Sequence, residues 1–196
     1  MKALVLLSGG VDSATCLGLA VKKYGAAEVF ALSVYYGQTH GKELNAAQKV
    51  ADYYGVALKR LDLSVIFEGS DCSLLADSPN DIPLQSYAEQ LSVTGGKPVS
   101  TYVPFRNGLF LSAAASVALS HGCEVIYYGA HSDDAAGNAY PDCSEKFNAA
   151  MGEAIYTGSG GQLEIIAPFI NLNKSHVVRM GLELGVPYKY TWSCYS

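Results

Sequence analysis

The residues with the clearest chemical potential stand near the start of the chain, in Leu7-Ser8-Gly9-Gly10-Val11-Asp12-Ser13. An apolar run precedes them and a helical pattern follows, so they form a strand-to-helix turn. The free backbone N–H groups and the dipole of a starting helix make such a turn an anion site. Gly9 and Gly10 let the backbone approach a phosphate, and Ser8 and Ser13 add hydroxyl donors. Asp12 would repel phosphate. It makes sense as a magnesium contact or as a cap on the new helix. Neither GxxxxGK[ST] nor GxGxxG occurs in this turn, so two familiar phosphate loops are excluded. The bland alternative is a tight turn with a Ser or Asp cap.

A second candidate lies at Ser33-Val34-Tyr35-Tyr36-Gly37-Gln38. Ligands in open α/β sheets sit beyond the carboxyl ends of the strands. This strand end would line such a ligand site. The alternative is that Tyr35 and Tyr36 only pack.

The elements that must position these residues follow from apolar patterning. Buried strands are expected at Ala3 to Leu7, Val29 to Tyr35, Ala57 to Leu61, Val125 to Tyr128 and Leu163 to Ala167. Helices are expected at Val11 to Tyr24, through Leu44 to Tyr54, and at Asn107 to His121, Ser144 to Tyr156 and Lys174 to Leu184. Gly25, Gly55 and Gly185 act as stops. Alternating strands and helices imply an α/β fold with a Rossmann-like parallel sheet covered on both faces. From about Ser64 to Pro104 the rhythm breaks: four of the seven prolines fall there, with Gly95-Gly96. That stretch reads as a long irregular insertion, a feature more often functional than decorative.

The 196 residues allow one domain, 1–196, or one with a small appendage. Hydrophobic residues are 49% and charged residues 16%, which supports a sizeable core and excludes a disordered chain. The net charge of -5 disfavours a broad nucleic-acid face. The five cysteines, Cys16, Cys72, Cys123, Cys143 and Cys194, are scattered, odd in number and without a CxxC. This disfavours a secreted disulfide scaffold and fits a reducing cytoplasm. The opening apolar run stops at Ser8-Gly9-Gly10, too short for a signal peptide or a membrane span.

The loop SGGVDS after a first strand resembles the pyrophosphate loop of the N-type ATP pyrophosphatases, with the adenine nucleotide alpha hydrolase-like fold. Four further motifs appear in order: Tyr36-Gly37-Gln38-Thr39-His40, Val103-Pro104-Phe105-Arg106-Asn107, Tyr140-Pro141-Asp142-Cys143 and Thr191-Trp192-Ser193-Cys194-Tyr195. Together they resemble the 7-cyano-7-deazaguanine (preQ0) synthases over essentially the whole chain. The resemblance implies an ATP- and magnesium-dependent ligase, cytoplasmic and homodimeric. It would adenylate 7-carboxy-7-deazaguanine, form the amide with ammonia and activate that amide to the nitrile.

The resemblance also implies residue roles. Ser8, Gly9, Gly10 and Ser13 would hold the ATP phosphates within an ATP-binding turn that includes Leu7 and Val11, Asp12 would assist through magnesium, and Tyr36 and Gln38 would lie on the adenine side; Asp12, Ser13 and Arg106 would be the catalytic residues. Arg106 would meet phosphate or the substrate carboxylate, with Asn107 beside it among the substrate-binding residues; the alternative is a surface or capping ion pair, with Asn107 as N-cap. His131, Asp134, Tyr140 and Asp142 would surround the base. There a carboxylate accepts from ring N–H groups, an aromatic ring stacks, and His131 serves as a general base. Lys174 would reach phosphate or stay exposed. Cys143 reads as local structure or pocket lining, and Cys16 and Cys123 as core filling. His40, His121 and His176 read as surface or capping residues.

Two segments depart from the family pattern. His131 and Ser132 stand where common members carry glutamate, and Phe105 stands where glycine is usual. An amide-forming variant is therefore the alternative product reading. Members continue beyond the WSCY-like segment with three more cysteines, so the resemblance implies either that Cys194 is the first ligand of a structural zinc whose tail extends past residue 196, or that the zinc ligands have been lost. A single thiolate cannot make a tetrahedral site. A tRNA-modifying enzyme and an ATP-sensing module are the competing classes. Salt-sensitive tRNA binding would mark the first, and tight ATP binding without pyrophosphate exchange the second.

Overall fold

The computed structural model describes residues 1–38, 41–76, 78–80, 89–90, 92 and 98–192. Five parallel strands form one sheet in the order β3-β2-β1-β4-β5. They are β1 (Ala3–Leu6), β2 (Val29–Tyr35), β3 (Ala57–Asp62), β4 (Val125–Tyr127) and β5 (Glu164–Ile166). The long helices are α1 (Val11–Tyr24), α2 (Lys42–Tyr54), α3 (Arg106–Ser120), α4 (Glu145–Gly158) and α5 (Lys174–Glu183). β1 lies at the centre, with Ala3 opposite both Val29 and Val125. The chain therefore reverses its direction of travel across the sheet between β1 and β4. That reversal opens a crevice beyond the strand ends, where doubly wound folds hold their ligands.

Alternation along the strands splits the core. Ala3, Val5, Val29 and Ala31 face α1, α2 and α5, packing on Ala14, Leu17, Ala47, Val50 and Val177. Leu4, Phe30 and Leu32 face the other way, packing on Leu111, Ala114, Ala118 and Ile155 of α3 and α4. Both faces of the sheet are covered, as continuous apolar strands require. The edge strand β3 is mostly exposed and carries Lys59 and Arg60, charges that discourage edge pairing.

Helix boundaries fall within one or two residues of the sequence expectations. Ser144 caps α4 by accepting from the Phe147 N–H, and Asn173 caps α5 by accepting from the His176 N–H. A one-turn helix at Ser132–Ala135 was not visible in the patterning. In the expected insertion, Ser64–Phe67 forms a short 3-10 turn. Phe67, Cys72, Leu74, Leu75 and Val103 bury a small cluster against Tyr36. The described parts of that stretch thus form a floor beneath one strand end. Cys16 and Cys123 fill core space as expected. Among the described residues, no helix is long and apolar enough to cross a membrane.

The segment after α5 folds back over α1. The Tyr188 hydroxyl lies 2.8 Å from Thr15 Oγ1. Gly181 makes room for that ring, because a Cβ there would stand 1.7 Å from the Tyr188 hydroxyl oxygen. Gly181→Ala is expected to lower unfolding free energy by about 1–3 kcal/mol through overpacking. Chemical denaturation checks this, and an unchanged midpoint would contradict the packing described.

Candidate active site

The turn between β1 and α1 lies at the central strand end. Gly9 has φ +95, a left-handed value that favours glycine. Its Cα also faces the backbone of α2: a Cβ would stand 2.3 Å from the Glu43 carbonyl oxygen and 2.7 Å from the Ala47 nitrogen. Gly9 is therefore required by helix packing as well as by any phosphate. Inside the turn, the Gly9 N–H donates to Ser13 Oγ at 3.2 Å and the Gly10 N–H to Ser8 Oγ at 3.3 Å. These are long contacts that a phosphate oxygen can replace.

A cleft opens directly above this turn, enclosing about 950 Å³ counted out to open solvent. Leu7, Ser8, Asp12 and Ser13 line it from the turn. Tyr36 and Gln38 line it from the end of β2, and Arg106 and Asn107 from the start of α3. Asp134 and Cys143 close the far side. Four widely separated sequence motifs thus meet in one crevice.

Asp12 is not a helix cap. Gly10 occupies the N-cap position of α1 without a side-chain bond, and Asp12 sits in the first turn. Its Oδ2 accepts from Lys174 Nζ at 2.5 Å. Its Oδ1 is buried and has no hydrogen-bond partner among the described residues. Lys174 is therefore no idle surface lysine: it reaches the carboxylate of the turn. His131, only 4% exposed, places Nε2 3.8 Å from Asp12 Oδ2 and 3.5 Å from Asp134 Oδ2. It stands behind the cleft between two carboxylates. Burial raises the Asp134 carboxyl above its ordinary value of 3.8, the Asp12 charge adds to this, and His131, Lys174 and Arg106 oppose it.

Arg106 donates from Nη1 to the Tyr36 hydroxyl at 3.1 Å, with its guanidinium carbon 5.3 Å from the centroid of that ring. Its planar fork is thereby held against an aromatic wall and directed into the cleft. Asn107 is not the N-cap of α3. That position belongs to Phe105, which has φ 53 and ψ 29 and gives no side-chain cap. Asp142 supplies the missing acceptor: its Oδ2 takes the Asn107 N–H at 2.8 Å. The Asn107 side chain donates back to the Asp142 carbonyl oxygen and to Cys143 Sγ, each at 3.2 Å. Asp142 is 3% exposed and raised in pKa by burial, so it is a structural tie rather than an open ligand for a base.

Tyr140 is likewise buried, with its hydroxyl 2.6 Å from Thr101 Oγ1, and it does not line the cleft. The cleft wall carries the rings of Tyr36 and Phe110 instead, with centroids 5.6 Å apart. Burial pushes the Cys143 thiol up to about 12, with Asp134 and Asp142 adding to the shift. A protonated thiol is a poor nucleophile, so Cys143 lines the cleft without offering covalent chemistry. His121 ends α3 and stacks on Phe30 at 4.7 Å, and His176 bonds to the cap residue Asn173. His40 and Cys194 lie outside the described residues.

Sequence reasoning missed Glu43, Phe110 and Tyr128 in the lining. Phe110 follows Arg106 by four residues on the same helix face, a usable signal. Tyr128 ends the β4 run. Glu43 enters only because α2 presses on the turn, which the sequence does not disclose.

The family described as queuosine biosynthesis protein QueC matches residues 2–196. The chain belongs to the QueC family. It is 43% identical over 199 residues to 7-cyano-7-deazaguanine synthase of a Nitratiruptor species, covering all of this chain and 85% of that protein. It is 39% identical over 197 residues to 7-cyano-7-deazaguanine synthase of Archaeoglobus fulgidus, covering 100% of this chain and 78% of the relative. Among solved structures, U34-tRNA thiolase NcsA from Methanococcus maripaludis superposes with TM-score 0.58 at 18% identity, over 100% of this chain and 61% of that one. NMN synthetase from Francisella tularensis gives 0.57 at 20% identity, over 96% of this chain and 63% of that one. At that distance the two structures attest the fold alone.

The raised Asp134 carboxyl has a consequence for stability. A carboxyl whose folded value exceeds its unfolded value of 3.8 stabilises the fold as pH falls from neutral through the folded value, and the gain is complete below 3.8. Asp134→Asn, which mimics the neutral form, should melt higher than the parent at neutral pH. That difference should shrink on acidification towards pH 4, as thermal denaturation at several pH values would record. A difference that grew with acidification would contradict the assignment.

Proposed function

We propose that this QueC-family chain is a 7-cyano-7-deazaguanine synthase, acting on 7-carboxy-7-deazaguanine, ATP and ammonia. The observation that carries the reading is the convergence of the SGGVDS turn, Arg106 and Asp134 on one cleft at the sheet reversal. The turn suits the β and γ phosphates, since its N–H groups and hydroxyls replace solvent around the departing pyrophosphate. Tyr36, Phe110 and Gln38 offer the wall for adenine. Arg106 stands between the two sides, suited to the α phosphate or the substrate carboxylate. Asp134, half-buried beside His131, accepts from N–H groups of the deazapurine.

The substrate carboxylate oxygen attacks the α phosphorus, pyrophosphate leaves and an acyl-adenylate forms. Ammonia adds to that carbonyl, and AMP and a proton leave to give the amide. The amide oxygen then attacks the α phosphorus of a second ATP, and a second pyrophosphate leaves. Loss of AMP and the nitrogen-bound protons then gives the nitrile. Adenylation makes the leaving groups good, so the protein's task is orientation and charge stabilisation.

The turn fits a magnesium ion on one point: Asp12 Oδ1 is a buried carboxylate oxygen without a partner among the described residues. Magnesium is commonly held by one or two carboxylates together with substrate phosphates. Bound there, it would neutralise phosphate charge, while Lys174 secures the other oxygen of Asp12. The described residues bring together no group of three or more His, Cys, Asp or Glu side chains able to hold a metal. The zinc reading therefore rests on the family resemblance and Cys194. Cytoplasmic location and a homodimer rest on the same resemblance.

Incubation with 7-carboxy-7-deazaguanine, ATP, magnesium and ammonium should yield the nitrile and AMP, read by mass spectrometry. Absence of substrate-dependent AMP would overturn the proposal, and accumulation of amide alone would assign the amide-forming variant. Arg106→Lys, which loses the fork, should lower kcat/KM by roughly 100-fold, as for other groups that stabilise transition-state charge.

A further inference from the structure

We propose that the segment following α5 is a strap that holds the phosphate turn in its anion-receiving orientation, through the backbone N–H of Trp192. This rests on the reading of the turn as the ATP phosphate site. The Trp192 N–H donates to the Gly9 carbonyl oxygen at 3.0 Å. Gly9 C=O and Gly10 N–H belong to one planar trans peptide and point in opposite directions. Holding the carbonyl outward therefore directs the Gly10 N–H inward, where it meets Ser8 Oγ at 3.3 Å.

The constraint matters because a Gly–Gly bond is the easiest in a chain to flip. A flipped peptide would present the Gly9 carbonyl oxygen to the phosphates and turn a donor away. Attraction would become repulsion in the very position where the pyrophosphate must sit. The close contact of Gly9 with the α2 backbone concerns its Cα, and rotation of the following peptide plane is a separate freedom. The Trp192 bond removes that freedom.

The strap is itself anchored on two helices at three points. Tyr188 bonds to Thr15 of α1 at 2.8 Å. Tyr190 packs against Tyr53 of α2 with ring centroids 6.2 Å apart. Lys42, the first residue of α2, places Nζ 4.4 Å from the centroid of the Trp192 ring. The ring contact orients the residue, and its backbone does the positioning.

Two substitutions separate backbone from side chain. Trp192→Ala keeps the N–H and removes the ring. Trp192→Pro removes both, and Thr191 with φ -80 and ψ 159 already has the extended backbone that precedes proline. In substrate-dependent AMP formation, Trp192→Pro should raise the KM for ATP about tenfold over Trp192→Ala, the scale of one lost hydrogen bond. The KM for the carboxylate substrate should stay unchanged in both. Equal KM values for ATP in the two variants, or a parallel rise in both KM values, would overturn the strap. An inactive parent protein would instead indict the synthase reading. Should Trp192→Pro fail to fold, hydrogen exchange on the parent decides: linkage requires ATP to slow exchange at the Trp192 amide, and an unchanged rate would overturn the proposal.

Discussion

Helix α2 lies so close to the first strand-to-helix turn that only a hydrogen atom fits between them. The limit is backbone against backbone, Gly9 against the Glu43 carbonyl oxygen and the Ala47 nitrogen, so no side-chain adjustment relieves it. A second such limit lies on the other side. A Cβ on Gly129 would stand 3.0 Å from Asp12 Cβ and 3.1 Å from its carbonyl carbon. The end of β4 thus presses on the start of α1. These two approaches bring the phosphate turn, the first turn of α2 and the segment carrying His131 and Asp134 around a single crevice. The missing methyl groups at Gly9 and Gly129 are what let the site close.

Closing it concentrates charge of the wrong sign for an anion. Asp12, Asp134 and Glu43 all border the cleft of a protein with net charge -5. The structure answers the carboxylates individually. Lys174 takes one oxygen of Asp12, and His131 lies between Asp12 and Asp134. Arg106, Ser8 and Ser13 line the same cleft and offer donors there. In a partly desolvated cleft, such fixed donors stabilise developing phosphate charge with little reorganisation. The same desolvation raises the carboxyls of Asp134 and Asp142. The site thus holds acids in a state that costs stability, a common mark of functional clefts.

The sheet and its helices were legible because parallel strands buried on both faces are continuous apolar runs, and because Gly25, Gly55 and Gly185 punctuate the helices. The turn was legible because its chemistry is local. The side-chain assignments around the base were less so. Asp142 and Tyr140 have the right types for ligand contact and turn inward instead, since burial depends on where the long insertion lays Thr101 and α3. Nothing in a sequence window reports that Asp142 meets Asn107 across 35 positions. Of the two readings of Asp12, a magnesium contact or a cap, the cap fails because Gly10 already holds the N-cap position. Glu43 was invisible because its place follows from the approach of α2, a tertiary fact.

The Tyr140-Pro141-Asp142-Cys143 motif illustrates how specificity in sequence and contact with ligand come apart. Phe105 sits in left-handed backbone, which costs a non-glycine residue about 1–2 kcal/mol, and it leaves α3 without a side-chain cap. Its ring, 57% exposed, lies over Gly108 and edge-on to Phe147 at 5.9 Å. These contacts offset part of the strain. Asp142 then satisfies the orphan Asn107 N–H, and Asn107 binds back to the Asp142 carbonyl and the Cys143 sulfur. The result is a helix start held from outside its own sequence, one residue from Arg106. The backbone that carries Arg106 is thereby fixed at the cleft edge. The motif's contacts therefore serve the positioning of Arg106, whether or not any of its side chains touches a substrate.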